Sequence, residues 1–474
     1  MIKLKMILSP LVLAFFLTFS LPSKSNAADK LVFHENFDSI AENGLPVGWE
    51  AWKPKNMEMV FESSNDFIFS GELSYRMTSN GKYHTKGSLK KKIEGFVQGR
   101  YYKFNVYYKT EGIDQGIQTK VLPIIKWGKG INFKHIVPVE FKDGWFRADL
   151  IHQIPEDSNG EIFLELFAGW IPEGSVYWGE IEIFELEKYI PESKIINVAV
   201  VDKIPPQVCS LMENCEFYVS QIDNACKNSA LDAICLTEEF NILKVLPRDD
   251  WENAVSMDSE YMQKIMHAAR NNNVNVIGSI LEDDNGVLFN TGFLINRQGE
   301  LVDKYHKAQL AMTEILYSNT SRGDELIVMQ ADFGKIGIAI CWDYQFPEFN
   351  RTLALKGVDI IFVPIAGDER ISESGVGTGM EHVGKTITLE NRIPIVFAKR
   401  GGNPRNPSRI IDNGGVVVAE SADKSAFISA PLDLKSKHYM WNKSEYTRAY
   451  YTSRRLELYK ELVNDSILLF KEGP

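Results

Sequence analysis

The hydrophobic pattern changes its period near residue 190, and that change demands two folding units of different class. Residues 30–188 read as short apolar runs, for example 101–108, 121–127, 161–167 and 176–184. They alternate in part and are bounded by Gly, Pro, Asn and Asp, the signature of strands joined by tight turns. No stretch there has a convincing helical period, so an all-β antiparallel sandwich is expected. Residues 187–195, with Lys188, Pro191, Glu192 and Lys194, read as a linker.

From 195 to 474 strands alternate with helices. Apolar strand runs stand at 197–201, 233–236, 274–280, 288–295, 335–340, 358–363 and 393–398. Near-continuous apolar strands imply sheets covered on both faces. Between them, Met262, Ile265, Met266 and Ala269 fall at i, i+3, i+4 and i+7 behind the capping candidates Asp258 and Ser259, with Asn271 to Asn273 as the stop. Segments 347–356 and 381–391 are further helices. Strand–helix alternation makes this an α/β unit.

Composition narrows the function. Lys and Arg number 52 against 63 Asp and Glu, a net charge of −11, which disfavours a nucleic-acid partner. The one basic run, Lys90-Lys91-Lys92, is expected on a strand edge, where lysines block edge pairing. Residues 1–27 read as a cleavable signal peptide. Lys3 and Lys5 precede the apolar stretch 6–21, and Ser25-Asn26-Ala27 offers a small-residue cleavage site. That stretch is short of the about 20 residues a membrane helix needs. A secreted or periplasmic protein without a membrane span is the expectation. Cutting after Ala27 removes Lys3, Lys5 and Lys24 and no acid, leaving 49 cations against 63 acids, a net −14. Of the five cysteines, Cys209 and Cys215 are close enough in sequence to bridge, Cys226 is a further candidate for pairing, and Cys235 reads as a buried small hydrophobe. No spacing suggests a metal site.

Cys341 ends the strand run Gly337-Ile338-Ala339-Ile340 and precedes the helix that Pro347 initiates. A helix N-terminus lowers a thiol's pKa from about 8.5. Glu238 closes the run Leu236-Thr237, and Lys307 follows the strand-like 300–303. A thiol, a carboxylate and an ammonium, each at the end of a sheet element, are the set that attack on an acyl carbon requires. The thiol attacks, the carboxylate moves protons, and the ammonium holds the oxyanion. His306 and His382 leave a Cys–His protease as a remote competing reading.

These segments resemble, in order, the motifs of the nitrilase superfamily of carbon–nitrogen hydrolases. Leu236-Thr237-Glu238 is similar to its first motif, with Thr where the family has Pro. Asn290-Thr291, Gly299, Tyr305 and Lys307 are similar to the lysine motif, with Gln309 where relatives often carry His. Ile338 to Asp343 with Phe346-Pro347-Glu348 are similar to the nucleophile motif. Leu389 to Arg392, and Ser408 to Asp412 with Gly415, resemble later elements. The resemblance implies a four-layer αββα sandwich and a homo-oligomer. It implies Glu238 as acid/base, Lys307 as oxyanion stabiliser and Cys341 as nucleophile. Glu314 would be a supporting second glutamate, and the backbone N–H of Trp342 an oxyanion donor. It implies no cofactor and a small-molecule amide or N-carbamoyl substrate. Nitrile hydrolysis or N-acyl transfer on the same fold is the alternative. Arg448, Arg454-Arg455 and Tyr459 resemble features of carbamoyl-hydrolysing relatives, while loops 312–330 and 366–380 would line the pocket.

The first unit resembles a jelly-roll carbohydrate-binding module, through Glu35-Asn36-Phe37-Asp38, Gly48-Trp49, 71–76, Tyr101-Lys103-Phe104 and 176–181. Its tryptophans, Trp49, Trp52, Trp127, Trp145, Trp170 and Trp178, are either core or sugar-stacking residues. A glycan partner follows from the second reading. In that case a glycan-binding protein with a vestigial hydrolase unit is the rival from another class.

Overall fold

The structure is a computed structural model. It describes residues 29–463 except 80, 83–84, 114–116, 129–131, 159, 228, 367–378, 402–406, 422–426, 437–453 and 455–457. The proposed signal peptide, Arg448, Arg455 and most of the 366–380 loop therefore lie outside the described residues. The chain divides into two compact units, Met1–Ile190 with Ser453–Pro474, and Pro191–Thr452.

The first unit is a sandwich of two antiparallel sheets. One sheet has the spatial order Val60–Ser64, Ser74–Thr78, Ser175–Glu185, Tyr101–Glu111, Trp145–Gln153, Val137–Lys142, and Lys30–Glu35 also pairs with Ser175–Glu185. The other has the order Glu50–Trp52, Lys86–Ile93, Ile162–Gly169, Val121–Lys126, Phe133–His135. Inward residues of both sheets share one core that includes Phe37, Tyr75, Leu89, Phe104, Leu164 and Trp178. A four-residue helix, Ile117–Lys120, interrupts the strands.

One expectation needs correction in part. Within the lysine run Lys90 is not on an edge, because it pairs with Glu50 on one side and Glu165 on the other, while Lys91 and Lys92 pair with Leu164 and Phe163 beyond the end of Glu50–Trp52. Strand alternation sends Lys91 to the opposite face from its neighbours, where its Nζ donates to Glu35 Oε2 at 2.9 Å. The tryptophans divide by burial. Trp49, Trp127 and Trp178 are core, while Trp52 and Trp170 are each 42% exposed.

The second unit is built from two six-stranded sheets. The first has the order Leu301–His306, Val287–Ile295, Asn275–Asp284, Ala233–Cys235, Ile195–Val201, Phe427–Asp433. The second has the order Val328–Ala331, Gly334–Ile338, Ile360–Ile365, Ile395–Lys399, Arg409–Ile411, Val417–Glu420. Val198, Cys235 and Ile277 of the first sheet share a core with Ile336, Ile338 and Ile361 of the second. The other face of the first sheet, including Ala199, Ile234 and Val276, packs on Tyr218 and Ile222 of helix Leu211–Cys226 and on Met262 and Ile265 of helix Glu260–Asn272. The second sheet carries Leu353 of helix Pro347–Leu355 and Ile387 of helix Gly379–Asn391. The layers run helix, sheet, sheet, helix. Each fully buried branched side chain contributes about 1.5–3 kcal/mol.

Local signals explain the helices. Ser210 and Glu213 form a reciprocal capping box on Leu211–Cys226. Ser259 caps Glu260–Asn272, which ends where Asn273 turns left-handed at φ +50°. Cys209 and Cys215 do not bridge, and none of the five cysteines, all of them among the described residues, forms a disulfide. Cys215 is turned inward by the helix, with its thiol toward Tyr261 O at 3.5 Å, while Cys209 precedes the cap and turns toward Lys244 O at 3.7 Å.

At the centre of each sheet the strands run parallel. Ala233–Cys235 lies parallel between Ile195–Val201 and Asn275–Asp284, and Ile360–Ile365 lies parallel between Gly334–Ile338 and Ile395–Lys399. Parallel sheets gather chemistry outside the carboxyl ends of their strands. Glu238, Cys341, Ala366 and Arg400 each lie one to three residues past such an end.

Candidate active site

Glu238 is almost fully buried, and its carboxylate is met by donors among the described residues. Asn290 Nδ2 reaches Oε1 at 2.9 Å, Lys307 Nζ reaches Oε1 at 2.8 Å, and the Ala366 N–H reaches Oε2 at 2.6 Å. Burial alone raises the pKa of a carboxylate. Here the charges of Lys307 and Arg400, and the donors from Lys307 and Ala366, outweigh it and hold Glu238 below the ordinary carboxylate value. The threonine that stands where relatives have proline has its own function. Thr237 Oγ1 donates to Ile365 O at 3.1 Å, tying the Glu238 turn in one sheet to a strand end in the other.

Lys307 is 1% exposed. Its Nζ donates to Glu238 Oε1 and to both oxygens of Glu314, each at 2.8 Å. Burial disfavours the ammonium, yet Glu238, Cys341 and Glu314 raise its pKa far above the usual lysine value, so it stays charged. Glu314 belongs to the short helix Met312–Tyr317 and also accepts from Ala311 N–H at 2.7 Å. Asn290 bridges the two glutamates, since its Nδ2 also reaches Glu314 Oε1 at 3.3 Å. Its Oδ1 is buried without a hydrogen-bond partner.

Cys341 opens the turn Cys341–Gln345 with φ +47°, a left-handed conformation that costs a non-glycine residue about 1–3 kcal/mol. The residue keeps some solvent-accessible surface although protein surrounds its sulfur. Its side chain hydrogen-bonds with Glu238 and with the Ala366 N–H. Burial first, then the Glu238 charge, push the thiol pKa well up, against the pull of Lys307. The sequence reading expected a lowered pKa from the following helix. That helix begins only at Pro347, and a carboxylate lies nearer, so the resting sulfur holds its proton.

Asp343, which sequence reasoning passed over, sets the spacing between the thiol and the lysine. Its fully buried carboxylate accepts from Ile340 N–H and Tyr305 OH, each at 2.9 Å, and from Gln309 N–H at 2.8 Å. The Tyr305 hydroxyl accepts in turn from Ala308 N–H at 2.9 Å. One side chain thus clips the loop on both sides of Lys307 to the turn that carries Cys341. Burial pushes Asp343 up to about 7 despite these donors. Because the backbone of Gln309 makes the bond, its departure from the family's histidine leaves the clip intact. An acid two residues past the cysteine was the available signal.

The remaining sequence candidates are also placed. The Trp342 ring is 44% exposed and lies edge-on to Phe346 at 6.0 Å. His306 is stacked flat on Phe289 at 3.8 Å, with Nε2 3.3 Å from Glu282, and His382 is exposed on its helix. Neither histidine has a hydrogen bond to the thiol, and Glu238 does.

A family model described as carbon-nitrogen hydrolase matches residues 197–437. The chain belongs to the carbon–nitrogen hydrolase family. It is an enzyme of that class, acting on C–N bonds other than peptide bonds. An N-carbamoylputrescine amidase of Arabidopsis thaliana is 31% identical over 210 residues, covering 39% of this chain and 67% of the amidase. A nitrilase homolog 2 of Dictyostelium discoideum is 27% identical over 268 residues, covering 52% of this chain and 77% of the relative. A citrullinase of Francisella tularensis is 26% identical over 277 residues, covering 53% and 93%.

Proposed function

We propose that this hydrolase is an exported amidohydrolase that opens an amide or N-carbamoyl bond through a thioester on Cys341. The observation that carries the reading is the convergence of a thiol and a buried ammonium on one ionised carboxylate, Glu238. The Cys341 proton passes to Glu238 as sulfur attacks the carbonyl carbon, since the resting thiol is protonated. Lys307 and the Trp342 N–H stabilise the oxyanion, each such donor being worth about 3 kcal/mol. The C–N bond then breaks and Glu238 returns the proton to the leaving nitrogen. Water, deprotonated by Glu238, attacks the thioester. The acid departs and the thiol is restored. Glu314 holds Lys307 through both of its carboxylate oxygens. No metal or organic cofactor enters the sequence of steps. The amidase and citrullinase names among the relatives support an amide or carbamoyl substrate.

The test is a panel of amides, N-carbamoyl compounds and nitriles scored by ammonia release, run on the wild type and Cys341→Ala. Turnover is expected on the first two classes and only with the thiol present. Undiminished turnover by Cys341→Ala would sink the mechanism. Export rests on residues 1–27, and N-terminal sequencing of protein recovered outside the cytoplasm checks it.

A second role is proposed for the sandwich unit as a jelly-roll-like glycan-docking module. The exposed rings of Trp52 and Trp170 support it, each with a lysine ammonium near its face, Lys90 at 5.0 Å and Lys86 at 5.9 Å. Such rings stack on sugar faces while flanking cations bind hydroxyl or acid groups. Affinity electrophoresis with polysaccharides, comparing wild type with a Trp52→Ala/Trp170→Ala variant, decides it. Equal mobility on every polysaccharide overturns the role.

A further inference from the structure

Three carboxylates crowd the start of the site, Glu238, Glu239 and Glu314, and among the described residues Lys307 Nζ donates to Glu238 and Glu314. A second cation answers the third acid. Arg400, one residue past strand Ile395–Lys399, donates from Nε to the main-chain carbonyl of Glu238 at 3.1 Å, and its Nη2 lies 3.3 Å from Glu239 Oε2. The Arg400 N–H donates to Ile365 O at 3.1 Å, the same carbonyl that accepts from Thr237. The guanidinium and the Glu238 turn are therefore fixed to one strand end.

Glu239 itself sits at φ +45°, a conformation that persists in a non-glycine residue only when its surroundings over-determine it. Here Ser279 Oγ accepts from its N–H at 3.0 Å, and Arg400 takes its side chain. Burial and the Glu238 charge push Glu239 up to about 7 despite Arg400 and Lys307.

We infer that Arg400 is a positioning residue for the reaction: its fork fixes the backbone that aims Glu238, and its charge keeps Glu238 in the form that accepts the thiol proton. The inference rests on the reading of Glu238 as the base. The charged or titratable groups facing that carboxylate are Lys307, Arg400, Glu239 and Cys341, with Glu314 across Lys307. Arg400 is one of the two cations that oppose the effect of burial on Glu238. Its loss raises the pH at which Glu238 takes up a proton, so the acidic limb of the activity profile moves to higher pH.

The experiment measures kcat/KM from pH 5 to 9 for the wild type, Arg400→Gln, Arg400→Lys and Glu238→Gln, with melting temperatures alongside. Arg400→Gln is expected to lose about tenfold more activity at pH 5.5 than at pH 8, because an opposite charge has been removed. Arg400→Lys keeps the charge and loses the fork. It is expected to fall about tenfold at every pH, through misplacement alone, with the limb unmoved. A uniform loss in Arg400→Gln, with its limb where the wild type has it, overturns the charge role. Wild-type rates in Arg400→Lys overturn the aiming role. If Arg400→Gln does not fold, a shifted limb in Arg400→Lys still overturns the charge role. Glu238→Gln separates the two levels of the reading. Wild-type turnover in that variant means Glu238 is not the base. A silent Glu238→Gln with an unmoved Arg400→Gln limb removes only the inference about Arg400.

Discussion

The first sheet and the segments that follow its strands hold two clusters of nearly the same composition, only one of which is a candidate for catalysis. Lys307 donates to Glu238 and Glu314 at 2.8 Å, and Lys304 donates to Glu282 and Asp284 at 2.8 Å. The second cluster adds His306, whose ligand atom lies with those of Glu282 and Asp284 within 4.8 Å, and Thr291, which donates to Glu282 at 2.7 Å. A lysine between two carboxylates is therefore not by itself a site. Burial and a nucleophile make the difference. Lys307 is 1% exposed and lies near a thiol, while Lys304 is 30% exposed and, among the described residues, is paired with carboxylates rather than a nucleophile.

The sharpest way to break this contrast is an isosteric swap in each cluster. Glu238→Gln is expected to lower kcat roughly 10²- to 10⁴-fold, the usual contribution of a proton-transfer group. Glu282→Gln should stay within a few-fold of wild type in the same ammonia-release assay. Equal losses would mean that both clusters serve the chemistry.

Stability offers a second handle. Lys307→Met leaves Glu238 and Glu314 buried without their cation, and breaking such a pair costs about 3–5 kcal/mol. Lys304→Met, at a more solvated pair, should cost about 1 kcal/mol or less. Urea denaturation of both variants measures the gap directly.

A finer comparison concerns Glu314, which touches the lysine and carries no proton in the proposed steps. Glu314→Gln is expected to reduce kcat about 10²-fold through a displaced ammonium, and to leave KM nearly unchanged.

The smallest effect is in pH. Asp343 has a pKa raised to about 7 in the fold, above its ordinary carboxylate value. A raised carboxyl binds its proton more tightly in the native state, so its contribution to stability is complete at low pH and is lost as pH rises through about 7. Asp343→Asn should flatten that slope in melting temperature between pH 4 and 7. Neither Glu282 nor Asp284 of the other cluster predicts this slope, because both are lowered. Burial raises Glu282, but its hydrogen bonds from His306, Lys304 and Thr291 and the Lys304 charge outweigh that, and the hydrogen bond from Lys304 leads for Asp284.

Much of the second unit was legible in the chain itself. The helix from Glu260 announced its buried face through Met262, Ile265 and Met266, and its ends through Ser259 and Asn273. Glu238, Lys307 and Cys341 could be singled out because each follows a strand-like run, and residues at strand ends are brought together by sheet geometry. Asn290 and Arg400 could not be read this way. Their meaning lies in partners 24 to 162 positions away, such as Asn290 with Glu314 and Arg400 with Glu238. Local pattern carries no trace of such pairings. The direction of the Cys341 pKa was missed for the same reason, since a carboxylate from another sheet end decides it. The place of Lys90 inside the sheet was missed because a strand's neighbours, unlike its alternation, are not written in its own residues.

The backbone angle of Cys341 has a consequence for how this protein can lose its activity. Glycine adopts φ +47° without penalty, whereas cysteine is held there by the packing around it. On the proposed mechanism a Cys341→Gly copy is inert, yet relieved of that strain. Loss of function at this codon is then a mutational path that backbone strain does not oppose, and selection on turnover has to keep the sulfur in place.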